Sequence, residues 1–220
     1  MQPEIQGVSI VLAGQFNPAM FHPAWFAAQG LIRRQEAEAA ETKIVHPNAA
    51  VFETEWLQMR VLPNQFHAAT TQEPYYEVLR DLVVGVFDLL SHTPSRAMGI
   101  NRNFHYELGS KEEWNSVGDR LAPKQDWENV LDDPGMSSLT IQGKRPDNLD
   151  GYIHVKVEPS RRVSGFGIYV QVNDHYQLSS TPETWVNASK VVDVLSEHWA
   201  ESIQRSLGIA EKIAGLGAIT

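Results

Sequence analysis

Asn101, Asn103, His105 and Glu107 stand two residues apart in the stretch GINRNFHYEL, residues 99–108. In an extended strand successive side chains point to opposite faces. These four therefore share one face, and Ile100, Arg102, Phe104, Tyr106 and Leu108 share the other. His105 and Glu107 then stand about 7 Å apart. A histidine and a carboxylate at that spacing could bind a divalent metal or orient a proton transfer, given further ligands from a neighbouring strand. The plainer alternative is a sheet face left to water. Asn is mildly unfavourable in strands, so two of them ask for a reason, and hydrogen bonding to a partner chain or a loop supplies one. The row is expected to act as a recognition surface, with catalysis at His105 and Glu107 as the rival reading.

A second candidate is Arg161-Arg162 in the loop PSRRVSG, where two adjacent guanidinium groups could grip a phosphate or an acidic partner. The alternative is a solvated loop tip. Arg102 faces the apolar side of its strand and so needs a partner, since an unpaired buried charge is costly; Glu53 and Glu55 are the candidates. Asp174 and His175 are neighbours in sequence and point to opposite faces, so they form no dyad. The eight histidines are scattered, and no two stand at a recognised metal spacing. The chain lacks a phosphate-binding glycine loop, a nucleophile elbow and the HExxH pattern. No metal site and no cofactor are assigned.

These residues must be positioned by the elements around them. Residues 5–13 read as a buried strand, and Pro23 opens a short helix over PAWFAAQGLI. Residues 33–43 are either a solvated helical extension or a loop. Residues 51–62 fit one long strand of imperfect alternation, returning through Pro63-Asn64 as QFHAAT. Thr71 is a plausible N-cap for a helix to about Leu90, whose apolar residues spread beyond one stripe to Val78, Val84 and Leu89. Ser110 and Glu113 have the form of a capping box, and a further short helix is expected over DWENVL.

The clearest pattern lies further on. Ile153, Val155 and Val157 alternate with Tyr152, His154, Lys156 and Glu158, and Phe166, Ile168, Val170 and Val172 alternate with Gly167, Tyr169, Gln171 and Asn173. With Leu139 and Ile141 one strand earlier, this predicts an antiparallel meander with one dry face. Val192, Leu195, Trp199, Ile203 and Leu207 recur at helical steps and predict the helix that covers it, with Asn187 or Thr181 as its cap. The tail keeps Ile209, Ile213, Leu216 and Ile219 apolar, which suggests that it docks on something, its own core included.

Composition bounds the rest. The 220 residues suit a single domain, or two intertwined lobes (1–109 and 136–220) joined by a short helical segment, 110–135. There is no cysteine, which excludes disulfides and thiol chemistry and fits a reducing compartment. A formal charge of −9 argues against nucleic-acid binding. The opening MQPEIQGVSIVLAG lacks the basic start and apolar run of a signal peptide, and no window approaches a membrane span. The expectation is a cytoplasmic α+β protein: mainly antiparallel sheet, packed by two long helices, with short helices between the lobes. Its expected role is non-enzymatic binding or assembly, through a protein partner or self-association. Half of its six tryptophans, Trp114, Trp127 and Trp185, lie in polar stretches, as interface anchors or as pins for short helices.

Overall fold

The computed structural model describes residues 1–181 and 184–218. The fold is α+β. Chain order runs β1 (Ile5–Gly14), α1 (Pro23–Ala28), α2 (Arg34–Ala39), β2 (Glu41–His46), β3 (Ala49–Glu53), β4 (Gln58–Leu62), β5 (Gln65–Thr70) and α3 (Tyr76–Leu89). It continues with β6 (Pro94–Leu108), α4 (Lys111–Leu121), β7 (Leu139–Lys144), β8 (Gly151–Pro159), β9 (Phe166–Gln177), β10 (Val186–Asn187) and α5 (Ser189–Ala214). All strand pairs are antiparallel and build one ten-stranded sheet in the order β2-β3-β4-β5-β1-β6-β9-β8-β7, with β10 paired to β6. The order mirrors itself about the β1–β6 seam, except that β2 adds one more strand at the outer edge of the first half. Each half runs a central strand, short helical segment, antiparallel meander (four strands in the first half, three in the second) and long helix, so the two halves share one plan. Among the described residues no helix is long and apolar enough to cross a membrane.

Alternation decides which face the helices cover. Val8, Ile10 and Leu12 of β1 pair with Arg102, Ile100 and Met98 of β6, and all six are buried. This side carries the core. In the first half Phe16, Phe21, Phe26, Phe52, Phe66 and Phe87 meet ring to ring at centroid distances of 5.1–6.3 Å. In the second half Phe104, Tyr106, Ile168, Val170 and Val172 meet Ala210 and Ala214 of α5. Leu195 and Trp199 of α5 are fully buried, and the Trp199 indole N–H donates to Glu77 of α3 at 2.9 Å, tying the two long helices together.

The dry side also holds charge. Asp174 of β9 is wholly enclosed and pairs with Arg145, just after β7, and with Arg205 of α5 at 2.7 Å. Asp147 binds the same two arginines at 2.5 and 3.1 Å. Asp174 and the half-buried Asp147 balance the two guanidinium groups, the exposed Glu201 adds a further partner for Arg205 at 2.7 Å, and hydrogen bonds satisfy the cluster, the condition under which buried ion pairs are tolerated. Burial alone would raise the Asp147 pKa, but the Arg145 hydrogen bond and charge outweigh it and hold it below the usual carboxylate range. The cluster pins α5 to the sheet.

Several sequence expectations are corrected. Residues 51–62 are not one strand. Thr54 to Leu57 form a turn, with Thr54 N–H donating to the Leu57 carbonyl at 2.8 Å. The reason is parity: Phe52 and Met59 are an odd number of residues apart, so one straight strand would point them to opposite faces, whereas the hairpin buries both. Residues 33–43 divide between α2 and the fully exposed edge strand β2. Thr71 caps nothing, because a short 3-10 turn over Glu73–Tyr75 precedes α3. Val78 and Leu89 face solvent, so α3 is covered on one side only. Ser110 accepts from the Glu113 N–H at 3.1 Å as expected, but the Glu113 carboxylate reaches Gly109 N–H instead of completing the box.

DWENVL is not an α-helix; a 3-10 turn over Lys124–Asp126 and further turns take its place. β7 is the outer edge, so Ile141 is exposed, as is Phe166 at the start of β9. Helix α5 is capped by neither Asn187 nor Thr181, and it runs through the tail to Ala214, where Ala210 and Ala214 dock on the protein's own core. Ile219 lies outside the described residues. The buried stripe of α5 passes through Ser202 and Ser206, while Ile203 and Leu207 flank it. Trp114 is a pin, donating to the Gly167 carbonyl at 3.0 Å, while Trp127 and Trp185 are exposed.

Candidate functional site

Among the described residues no helix covers the second face of the sheet. Its side chains come into register through the strand pairing. One row runs Ser9, Asn101, Asn173, His154 and Gln142 across β1, β6, β9, β8 and β7. The next runs Gly7, Asn103, Gln171, Lys156 and Thr140, and a third runs Ile5, His105, Tyr169 and Glu158. The four residues 101, 103, 105 and 107 do share this face, and Arg102, Phe104 and Tyr106 lie on the dry one. A cleft of about 460 Å³ opens here, on the seam where β1 meets β6. Its walls come from both halves of the chain: His67 and Gln58 on one side, Lys156, Tyr169 and Gln171 on the other. Gly7 forms part of the floor, where a Cβ would come within 3.2 Å of the Thr70 carbonyl oxygen.

Of the six residues singled out from sequence, the structure brings four together here: Asn103, His105, Arg161 and Arg162 all line the cleft. Asn101 lies in the adjoining row, only 8% exposed, and Glu107 stands exposed near the strand end. Glu107 makes no hydrogen bond with His105 among the described residues. His105 is instead 6% exposed, with Tyr169 packed against it at 4.8 Å between ring centroids.

The β8–β9 loop favours the neutral form of His105. Ser160 Oγ accepts from the Arg162 and Val163 backbone N–H groups, at 3.1 and 3.4 Å. A hydroxyl oxygen has two lone pairs and one proton. With both lone pairs engaged, the proton is left to donate to His105 Nδ1, 2.8 Å away. The imidazole must then be neutral with its own proton on Nε2. Burial, reinforced by the Arg162 charge, pushes the His105 pKa below the ordinary imidazole range. His67 across the cleft is lowered likewise, by burial and Arg60. Asn103 is also oriented: the Tyr169 hydroxyl donates to its Oδ1 at 2.6 Å, which turns its amide N–H₂ outward from that bond. Burial, then the Glu158 charge, raises the Tyr169 pKa, so this hydroxyl stays protonated at neutral pH. Further along the face Tyr152 stacks on His175 at 4.3 Å and 9°.

Arg102 is also corrected. Its guanidinium donates to the Gly7 carbonyl at 3.3 Å and to Gln6 Oε1 at 2.9 Å, and lies over the rings of Tyr76 and Phe104. Glu53 is spent on Lys43 at 2.6 Å, and Glu55 is no partner either. Burial lowers the Arg102 pKa, with Tyr76 and Glu73 offsetting part of that. Arg102 thus braces β1 beneath the cleft floor.

Sequence reasoning overlooked His67, Ser160 and Gln58 as site residues. Lys156, Tyr169 and Gln171 were legible as an outward-facing set, but what places them beside His105 is the register between β6 and β9. Among the described residues no three His, Asp or Glu side chains form a metal-binding group. In comparisons with known proteins, no family model and no curated protein matches the chain.

Proposed function

We propose that this is a non-enzymatic binding protein that recognises its partner on the uncovered sheet face, in the cleft at the β1–β6 seam. One observation carries the reading: polar side chains stand in register across the strands around a cleft of about 460 Å³, on the one sheet face without helices. A concave site with a few oriented hydrogen-bonding groups is the general form of a ligand site. His105 is committed to the loop and Glu107 lies outside the cleft, so a joint acid–base or metal role for that pair has less support. The cysteine-free composition fits a reducing compartment, and the cytoplasm is the proposed setting.

The test is a thermal-shift screen of small polar compounds on wild type and on the double variant Asn103→Ala/Gln171→Ala. A ligand at a hundred times its Kd stabilises by about 2.7 kcal/mol. The reading expects stabilisers of wild type to lose their effect on the double variant. Equal shifts for both proteins would remove the cleft from the account. Metal content of wild type, His105→Gln and Glu107→Gln addresses the rival: stoichiometric metal lost from both variants would install it.

A further inference from the structure

We propose that the cleft binds a small molecule through an oxyanion, a carboxylate or phosphate group, seated between His105, Asn103 and the Arg161-Arg162 pair. This deepens the proposed function and rests on it.

The inference comes from counting what each side chain has left to offer. Ser160 has given both lone pairs to backbone N–H groups and its proton to His105. Asn103 Oδ1 is taken by Tyr169, leaving the amide N–H₂. Glu158, an acid in the cleft wall, is engaged by Lys156 at 2.7 Å. Most acceptors at this end are thus spent inside the protein, and donors remain: His105 Nε2–H, the Asn103 amide and two guanidinium groups. Among the described residues Arg161 and Arg162 lie within ion-pair distance of no carboxylate. Gln58 and Gln171 can serve either role. A donor-rich end calls for an acceptor-rich ligand, and charge-assisted bonds from arginine to an oxyanion are the strongest available.

The setting agrees. The chain carries −9, so a cationic cleft is a local inversion of its overall charge, and a walled recess focuses such a field. His105 gives the site a built component, since this nearly buried ring is held by the loop with its Nε2 edge left over. The His105 pKa is lowered first by burial and then by the charge of Arg162, a cation lining the cleft. The cleft volume suits a metabolite-sized ligand. A nucleic-acid strand would need a basic stripe continuing along the face, and there β7 and β8 add only Lys144 and Lys156, the latter paired with Glu158, among the neutral Thr140 and Gln142.

Calorimetric titration at constant ionic strength tests this, with inorganic phosphate, pyrophosphate, malonate and a short single-stranded oligonucleotide, and chloride as the control. The expected result is saturable binding of at least one small anion, weakened about tenfold or more in Arg161→Ala/Arg162→Ala. Whether phosphate or malonate binds more tightly tells the two oxyanion sources apart. Heat no greater than with chloride, or equal affinity in the double variant, overturns the proposal. So does an oligonucleotide that binds far more tightly than pyrophosphate. The arginine variants alter exposed loop residues only, so lost folding is not the confounding outcome. If no anion binds while Asn103→Ala/Gln171→Ala still abolishes thermal shifts by neutral compounds, the oxyanion falls and the cleft stands. If those shifts also fail to depend on the cleft, both readings fall.

Discussion

The two faces of β6 differ in how they handle charge and hydrogen-bonding groups. On the helix-covered face, buried charge is closed off: Asp174 on the neighbouring strand is matched by Arg145 and Arg205, and Arg102 has Gly7, Gln6 and two aromatic rings. On the uncovered face, polar groups are oriented but left incomplete. Asn173 Oδ1 is buried without a partner, and His105 has one nitrogen engaged and the other unused. Leaving a buried polar atom unpaired costs on the order of 1–3 kcal/mol. The helix-covered side also leaves hydroxyls unpaired, those of Tyr76, Tyr106, Tyr176, Ser202 and Ser206, so unpaired polar atoms alone do not mark a functional face. What sets the faces apart is that the helix side closes its buried charges into ion pairs, while the uncovered side keeps oriented donors at an open cleft, the feature on which the proposed recognition role rests.

The largest effects should fall on the helix side. Asp174→Ala leaves the buried Arg145 with Asp147 as its one acid partner and Arg205 with Asp147 and the exposed Glu201, and should cost about 3–5 kcal/mol. Trp199→Ala empties a fully enclosed site and cuts the bond to Glu77, for a similar loss of about 3–5 kcal/mol. Urea unfolding measures both, and a midpoint equal to wild type in either variant would break the comparison.

His105→Gln probes the boundary between the faces through pH. The folded-state pKa of His105 is depressed, so below the ordinary imidazole value near 6.5 the unfolded chain binds a proton that the folded one resists. This contribution to stability is therefore present above about pH 6.5 and is lost as pH falls through the folded-state pKa. The variant should show a shallower decline between about pH 7 and 5, by up to 1.4 kcal/mol per pH unit for one proton. Parallel curves for the two proteins would show that His105 does not titrate as the loop geometry requires. The smallest effect belongs to the uncovered face: Gln171→Ala should change stability by no more than about 0.5 kcal/mol. A cost of several kcal/mol would make that face structural.

The meander of β7, β8 and β9 was legible because its alternation is nearly unbroken, and so was the split of β6 into two faces. The N-terminal half was harder to read. β1 looked buried on both sides because its residues on the uncovered face, Gly7, Ser9, Val11 and Ala13, are small or apolar. The β3–β4 hairpin hid behind a turn, TEWL, that contains neither Gly nor Pro. Long-range register was invisible: nothing local says that Asn103 stands beside Gln171, or that the loop at Ser160 folds back onto His105. Four of the six chosen residues were chosen for hydrogen bonding or charge alone, and pairing between distant strands made them neighbours in one cleft.

The central claim is that the uncovered face is the recognition surface. Backbone amide shift mapping of isotope-labelled protein against a library of small polar fragments tests it most directly. The account predicts that perturbed amides cluster at Gly7, Asn103, His105, Lys156, Tyr169 and Gln171 and along the loop at 160–165. Perturbations gathered instead on the exposed Trp127, Val130 and Leu131 segment, or on the edge strand β2, with the cleft amides unmoved, would contradict it.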